Sequence, residues 1–212
     1  MGMPLPRRWT TADVRALMRE DRPWPRYELI DGELIVTPAS RAPHQLAAFE
    51  LCKVLDMYLE RVLIGIAVMS PADLELRPGT ITQPDVFVVP TGTERQETAA
   101  EWSDVKSLLL AVEVLSPGSL RTDLIVKRDF YLVNGVAEYW IVDVDERMIE
   151  RWIPKEQTAE VCRERIVWAP LDREPLLIDL EGLFTRIESK WRRMQRSAFT
   201  AGGCDSDHDG CQ

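Results

Sequence analysis

The chain has 212 residues, a formal net charge of −9 and 45% hydrophobic content, which allows a real globular core and argues against a protein that grips nucleic acid through an extended basic face. No secretory signal or run long enough to cross a membrane is evident. The four cysteines, Cys52, Cys162, Cys204 and Cys211, lack metal-ligand spacing, so a cytoplasmic protein with reduced thiols is expected.

Thr10 or Thr11 is placed to cap a short helix running to about Arg19, with Val14, Leu17 and Met18 as its apolar side. Pro23 and Pro25 end it. In RYELIDGELIVTP, Asp31-Gly32 between two apolar-rich runs predicts a hairpin. Alternation puts Tyr27, Leu29 and Asp31 on one side of its first strand, with Glu28 and Ile30 on the other. Residues 40–43 read as a loop. The longest helix is expected from His44 to about Val62, burying Ala47, Leu51, Val54 or Leu55, Tyr58 and Val62. Short strands are expected at 66–69 and around 74–76, then a turn at Pro78-Gly79. In QPDVFVV, Asp85, Phe87 and Val89 point one way, and Val86 and Val88 the other. Residues 91–104 are polar and lack periodicity, which predicts a loop with room for one helical turn.

The apolar run 108–115 is interrupted once, by Glu113, and is closed by Pro117-Gly118. It reads as a buried strand. A carboxylate there is costly unless it meets a cation, a metal or a donor. A helix starting near Leu120 follows, with Leu120, Leu124 and Tyr131 on one face. Lys127 falls on that same face. EYWIVD then supplies the second strand of a β-α-β unit, and 148–153 is expected to pair with it as a hairpin. Residues 161–168 and 176–179 read as strands of a meander, and 180–194 as an amphipathic helix with Leu183, Ile187 and Trp191 on one face. One domain over 1–196 is expected, followed by a disordered acidic tail over 197–212. Within that tail, DSDHDG matches the opening of a calcium loop, but the chain stops before a twelfth-position Glu.

Asp85, Glu113 and Lys127 stand out because each is ionisable on an otherwise apolar element. Two carboxylates from neighbouring strands can bind a hard divalent cation. Such an ion activates water and stabilises charge on a phosphoryl group, and a nearby lysine can orient the water or neutralise that charge. The plainer alternative is a buried ion pair with no chemistry. Asp123 and Lys127 are also an i,i+4 pair, which by itself supports a helix.

Taken in order, YELIDGEL, His44-Gln45 at a helix start, QPDVFVV, VEVLSPGS, DLIVKRDFY and GVAEYWIVD resemble a known family. It is the Uma-type restriction endonuclease family, long catalogued as a domain of unknown function, in the PD-(D/E)XK nuclease-like superfamily. The resemblance covers roughly residues 10–190, and its motifs are specific jointly rather than singly. It implies an α/β (α+β) restriction-endonuclease-like core: a central mixed β-sheet flanked by helices, with the N-terminal hairpin and C-terminal meander attached. It also implies hydrolysis of DNA phosphodiester bonds with Mg²⁺ or Mn²⁺. Carried over, Pro84-Asp85 is the PD element and Glu113 the acidic residue of (D/E)XK. Leu115 stands where that motif has lysine, and Lys127 on the following helix fits the place of a migrated lysine. Asp85 and Glu113 would then hold the metal with the Val114 carbonyl.

Glu28 and Glu33 lie on opposite faces of the hairpin, and either is a candidate further acid, against a plain solvated or turn-stabilising carboxylate. His44 and Tyr131 are further accessory candidates. Arg41, Arg121 and Arg128 flank the site and are candidate phosphate contacts. DNA is the expected partner, and a homodimer is compatible with cutting two strands. Two alternatives stay open: a non-catalytic interaction protein that keeps the fold, and a metal-dependent hydrolase of another phosphate ester.

Overall fold

The computed structural model describes residues 8–19, 25–92, 100–116, 122–154 and 156–201. Helix α1 (Thr11–Met18) opens with Thr10 and Asp13 satisfying each other's backbone N–H groups, a capping box. Strands β1 (Arg26–Ile30) and β2 (Glu33–Thr37) pair antiparallel, with Ile30 opposite Glu33. The linking residues Asp31 and Gly32 have φ of 53° and 81°, the two positive values of a type I′ turn that Asp-Gly suits. Helix α2 (Ala42–Val62) starts two residues before the expected His44. Pro43 causes no break there, because the first-turn N–H groups have no intrahelical partner to lose. Ala47, Leu51, Leu55 and Tyr58 are buried as expected, while Val62 is only half-buried.

Strands β3 (Gly65–Met69), β4 (Val86–Pro90), β5 (Leu110–Val114), β6 (Tyr139–Asp143), β7 (Met148–Trp152) and β8 (Glu160–Cys162) form a six-stranded sheet in that spatial order. β5 and β6 are parallel, and the other neighbours are antiparallel. A parallel pair needs a crossover. Here it includes the π-helical turn Thr122–Lys127, which runs into helix α3 (Arg128–Val133). β9 (Arg165–Trp168) and β10 (Leu176–Asp179) make a separate antiparallel pair, and helix α4 (Leu180–Ala201) follows.

Strand alternation sorts the core into two layers. Val86, Val88, Val112, Val114, Trp140 and Val142 face Leu51, Leu55, Trp168, Leu183 and Ile187, beneath α2, α4 and β9. Phe87, Ala111, Tyr139 and Ile141 face Ile30, Leu74, Phe130 and Tyr131, beneath the hairpin and α3. β5 is buried at every position, which is why it reads as one apolar run. On the first layer, the Glu50 carboxylate of α2 is bonded by Lys190 and Arg186 of α4. Among the described residues, no helix is long and apolar enough to cross a membrane.

The mixed central sheet and flanking helices agree with the sequence reading, but several boundaries move. The strand expected around 74–76 is a single bridge, Leu74 to Thr82. The run 161–168 is two strands: Arg163 and Glu164 form an exposed bend, and the Glu164 carbonyl accepts the Leu180 N–H that opens α4. The expected meander is therefore divided between two sheets. The crossover begins as a π turn rather than a regular α-helix, and Leu120 lies outside the described residues. α4 continues to Ala201, past Ser197. The remaining tail, with DSDHDG, Cys204 and Cys211, lies outside the described residues.

Neighbouring positions on α2 test which side faces the core. Leu55 is 0% exposed and Met57 63% exposed. Leu55→Ala is expected to cost about 2–5 kcal/mol in urea denaturation, and Met57→Ala to stay within about 0.5 kcal/mol of the parent. Equal losses would contradict the packing of this helix.

Candidate active site

Glu113 sits on the α3 side of β5 and is 3% exposed. The crossover brings it donors. Lys127 Nζ lies 3.0 Å from Glu113 Oε1 and 2.7 Å from Glu28 Oε2, and the Tyr131 hydroxyl donates to Glu113 Oε1 at 3.3 Å. Lys127 and Tyr131 are spaced i,i+4, so both reach one point on the sheet. Glu28 arrives from β1. Leu29 exchanges two backbone hydrogen bonds with Ile81, at 2.7 and 2.9 Å, which lays the hairpin against the segment leading to β4. Glu28 Oε1 then accepts the Gln83 N–H at 2.8 Å.

Asp85 stands immediately before β4. Its Oδ1 accepts from Arg26 Nη2 at 2.9 Å, and its Oδ2 accepts the Val114 N–H at 2.9 Å and lies 3.0 Å from His44 Nε2. The Val114 bond ties the PD segment to the residue after Glu113. Burial works against the charged form of Arg26, but Asp85, and further off Glu113 and Glu28, raise its pKa. The three carboxylates thus share one electrostatic environment. Burial alone would lift the Asp85 pKa; the hydrogen bond and charge of His44, the Arg26 guanidinium and the Val114 N–H outweigh it and hold the carboxyl at about 2. Burial, then the charges of Glu113 and Glu28, push the Tyr131 hydroxyl well above its ordinary value. It therefore stays a donor at neutral pH.

An ionised Asp85 requires the bridging proton on His44 Nε2. His44 Nδ1 is buried and has no hydrogen-bond partner among the described residues. His44 also borders two cavities. One, of about 260 Å³, is lined by Arg26, Gln45, Met69, Ser70 and Asp85. The other, of about 310 Å³, is lined by Arg41, Leu115, Ser116, Asp143 and Asp145.

The donor chemistry fits a hard divalent cation. Asp85, Glu113 and Glu28 offer oxygen ligands, and Arg26 and Lys127 stand against these three carboxylates. No set of three or more His, Cys, Asp or Glu side chains forms a metal cage among the described residues. A cation held by Asp85 and Glu113 would therefore complete its shell from backbone carbonyl and water, and would share Asp85 with its present donors.

The structure brings Asp85, Glu113, Lys127, Glu28, His44 and Tyr131 together. It corrects one expectation: Glu28 is not a solvated carboxylate but 1% exposed, because its hairpin is pinned over Lys127. Glu33 is exposed. Arg41 is exposed at the start of α2 and borders the second cavity. Arg128 bonds Asp129 and stacks over Trp152 at 4.8 Å, so its charge is already engaged. Arg121 and the side chain of Asp123 lie outside the described residues. The residue missed from sequence is Arg26. The signal was available, since strand parity places it on the same side of β1 as Glu28.

The Uma2 family model, described as "Putative restriction endonuclease", matches residues 12–182. The chain belongs to the Uma2 family. Among solved structures, a "putative nuclease belonging to DUF820" from Anabaena variabilis ATCC 29413 is similar in fold, with a TM-score of 0.64 and 20% sequence identity. The match covers 82% of this chain and 98% of that one. No curated protein matches the chain. A nuclease-like fold of the Uma2 family is therefore the setting in which the buried carboxylates lie.

Two stability measurements follow from the charge network. The Asp85 pKa is depressed from its unfolded value, so its contribution is present above about pH 4 and is lost as pH falls through about 2. Wild type should exceed Asp85→Asn by ~2 kcal/mol at pH 6, with the gap closing below pH 4; a gap independent of pH would refute this. Lys127→Ala leaves Glu28 and Glu113 without the cation they share. It should cost about 3–5 kcal/mol near neutral pH. Urea titrations across pH check both.

Proposed function

We propose that this chain is a metal-dependent endonuclease that hydrolyses DNA phosphodiester bonds, with Asp85 and Glu113 binding Mg²⁺ or Mn²⁺ and Lys127 assisting the attacking water. The observation that carries the reading is the convergence of Asp85, Glu113 and Lys127 with Glu28, Arg26 and His44 in one buried charge group, on a chain of this family.

Asp85, Glu113 and the Val114 carbonyl would supply the oxygen ligands. A bound divalent cation supplies Lewis acidity toward a phosphoryl oxygen and eases ionisation of a water. Lys127, fixed between Glu28 and Glu113, acts as a stationary ammonium that orients the water and offsets developing charge. The Tyr131 hydroxyl and Lys127 together fix the Glu113 carboxylate. His44, Arg26 and the Val114 N–H together keep Asp85 ionised. His44, oriented through Nε2 toward Asp85, borders the cavity as a candidate proton-transfer group. Arg41 is the described arginine best placed to meet phosphate. The proposed setting is the cytoplasm, where Cys52 and Cys162 stay free, and a homodimer would supply two sites for two strands.

A second reading, a non-catalytic interaction protein, draws on one observation: protein donors already occupy both oxygens of Asp85. Supercoiled plasmid separates the two. Purified protein should nick or linearise it with Mg²⁺ or Mn²⁺ and not with EDTA. Asp85→Ala, Glu113→Ala and Lys127→Ala, each confirmed folded, should lower the rate at least about 100-fold. Cutting that persists equally in all three, or in EDTA, sinks the assignment.

A further inference from the structure

We propose that a third cavity, adjoining the one that Asp85 lines, binds an unpaired, amino-bearing nucleobase of the substrate strand; the substrate class rests on the nuclease reading above. This cavity, of about 510 Å³, lies between Arg15 of α1 and the Trp102–Asp104 turn, with Pro71, Asp73, Glu101 and Ser103 completing its wall. Its size is that of a small-ligand site.

Trp102 is the platform. Its ring stands edge-on to Phe87 at 5.7 Å and 89°. Phe87 is fully buried on β4, whereas Trp102 is 40% exposed. Glu101 and Asp104 close the turn beneath it by reciprocal capping. An indole held rigidly yet open to solvent is suited to stack a base.

Two connections fasten the cavity to the candidate site. Pro71 borders both this cavity and the one that holds Asp85, Arg26 and His44. The Ser70 N–H donates to the Asp85 carbonyl at 3.1 Å, and the Ser70 hydroxyl to the Pro84 carbonyl at 2.7 Å. Asp73 Oδ1 accepts from Gln83 Nε2 at 2.5 Å. Residues 70–73 are thus pinned to 83–85, and at most about 11 Å of chain separates Ser70 from Asp73. Trp102 packs against Phe87, two residues beyond Asp85, so a strand with a phosphate at Asp85 would carry a neighbouring base toward this cavity.

Charge decides which part of the strand enters. Among the described residues of the wall, Asp73 and Glu101 outnumber Arg15, so phosphate is disfavoured there. Their oxygens accept from the amino groups of cytosine, adenine or guanine, which thymine lacks.

The test is fluorescence anisotropy with wild-type protein in EDTA and labelled oligonucleotides of about 12 nucleotides. Oligo-dA and oligo-dC should bind at least about five-fold tighter than oligo-dT, and abasic sites in oligo-dA should weaken binding about ten-fold. Trp102→Ala should lose about ten-fold, and Trp102→Phe should retain most of the affinity. Equal binding of dA, dT and abasic strands, or no binding, overturns the proposal. So does unchanged affinity in a folded Trp102→Ala protein. If that variant does not fold, the base-composition and abasic comparisons still decide. The plasmid assay separates the two readings. Base-selective binding without cutting sinks the nuclease and leaves the pocket; cutting without base-selective binding does the reverse.

Discussion

A carboxylate inside a protein must recover from its neighbours what it loses on leaving water. Glu113, Glu28 and Asp85 impose that condition from three places in the chain, and much of the fold is arranged to meet it. β5 carries Glu113 into the centre of the sheet. Because β6 is parallel to β5, the chain must recross the sheet, and that recrossing sets Lys127 and Tyr131 above Glu113. The hairpin must lie against Ile81 for Glu28 to share Lys127. The same placement carries Arg26 to Asp85. Each cation serves more than one anion, so no element can move without exposing an unpaired charge elsewhere.

Much of this was legible from residue types alone. Glu113 interrupts an apolar run, Lys127 lies on an apolar helical face, and Asp-Gly marks the hairpin; all three signals are local and the structure agrees with them. Less legible were features that depend on distant segments. Glu28 looked solvated because a two-stranded hairpin usually leaves one face to water, and nothing near it in sequence announces the bridge to Ile81. Arg26 required strand parity to be combined with a tertiary contact. The divided meander turned on the exposed bend at Arg163-Glu164, where alternation continues in phase across the break and so gives no warning.

The overall acidity bears on how a nucleic acid would be held. Phosphate neutralisation supplies most nonspecific affinity, and a chain of net charge −9 has little of it to offer. Arg26 and Lys127 are consumed by carboxylates, and Arg128 by Asp129 and Trp152. Affinity must then come from interactions that survive an unfavourable long-range field. A metal held by carboxylates is one, since it turns acidity into attraction for phosphate. Stacking on an anchored indole is another, since it is short-ranged and indifferent to charge.

The position of Lys127 changes how the charge group is built. A lysine two residues after the glutamate on one strand would share its face by parity alone. Leu115 occupies that position, and its N–H is spent on the Val142 carbonyl of β6. With the cation on the crossover, contact with Glu113 depends on the π turn, on α3 packing through Phe130 and Tyr131, and on the hairpin closing from above. A π turn widens the helix locally and recurs where a side chain must be re-aimed; here it ends at Lys127. The charge group therefore assembles only when the second core layer does. In this chain the charge group and the second core layer are built from the same contacts, with Lys127 at their junction.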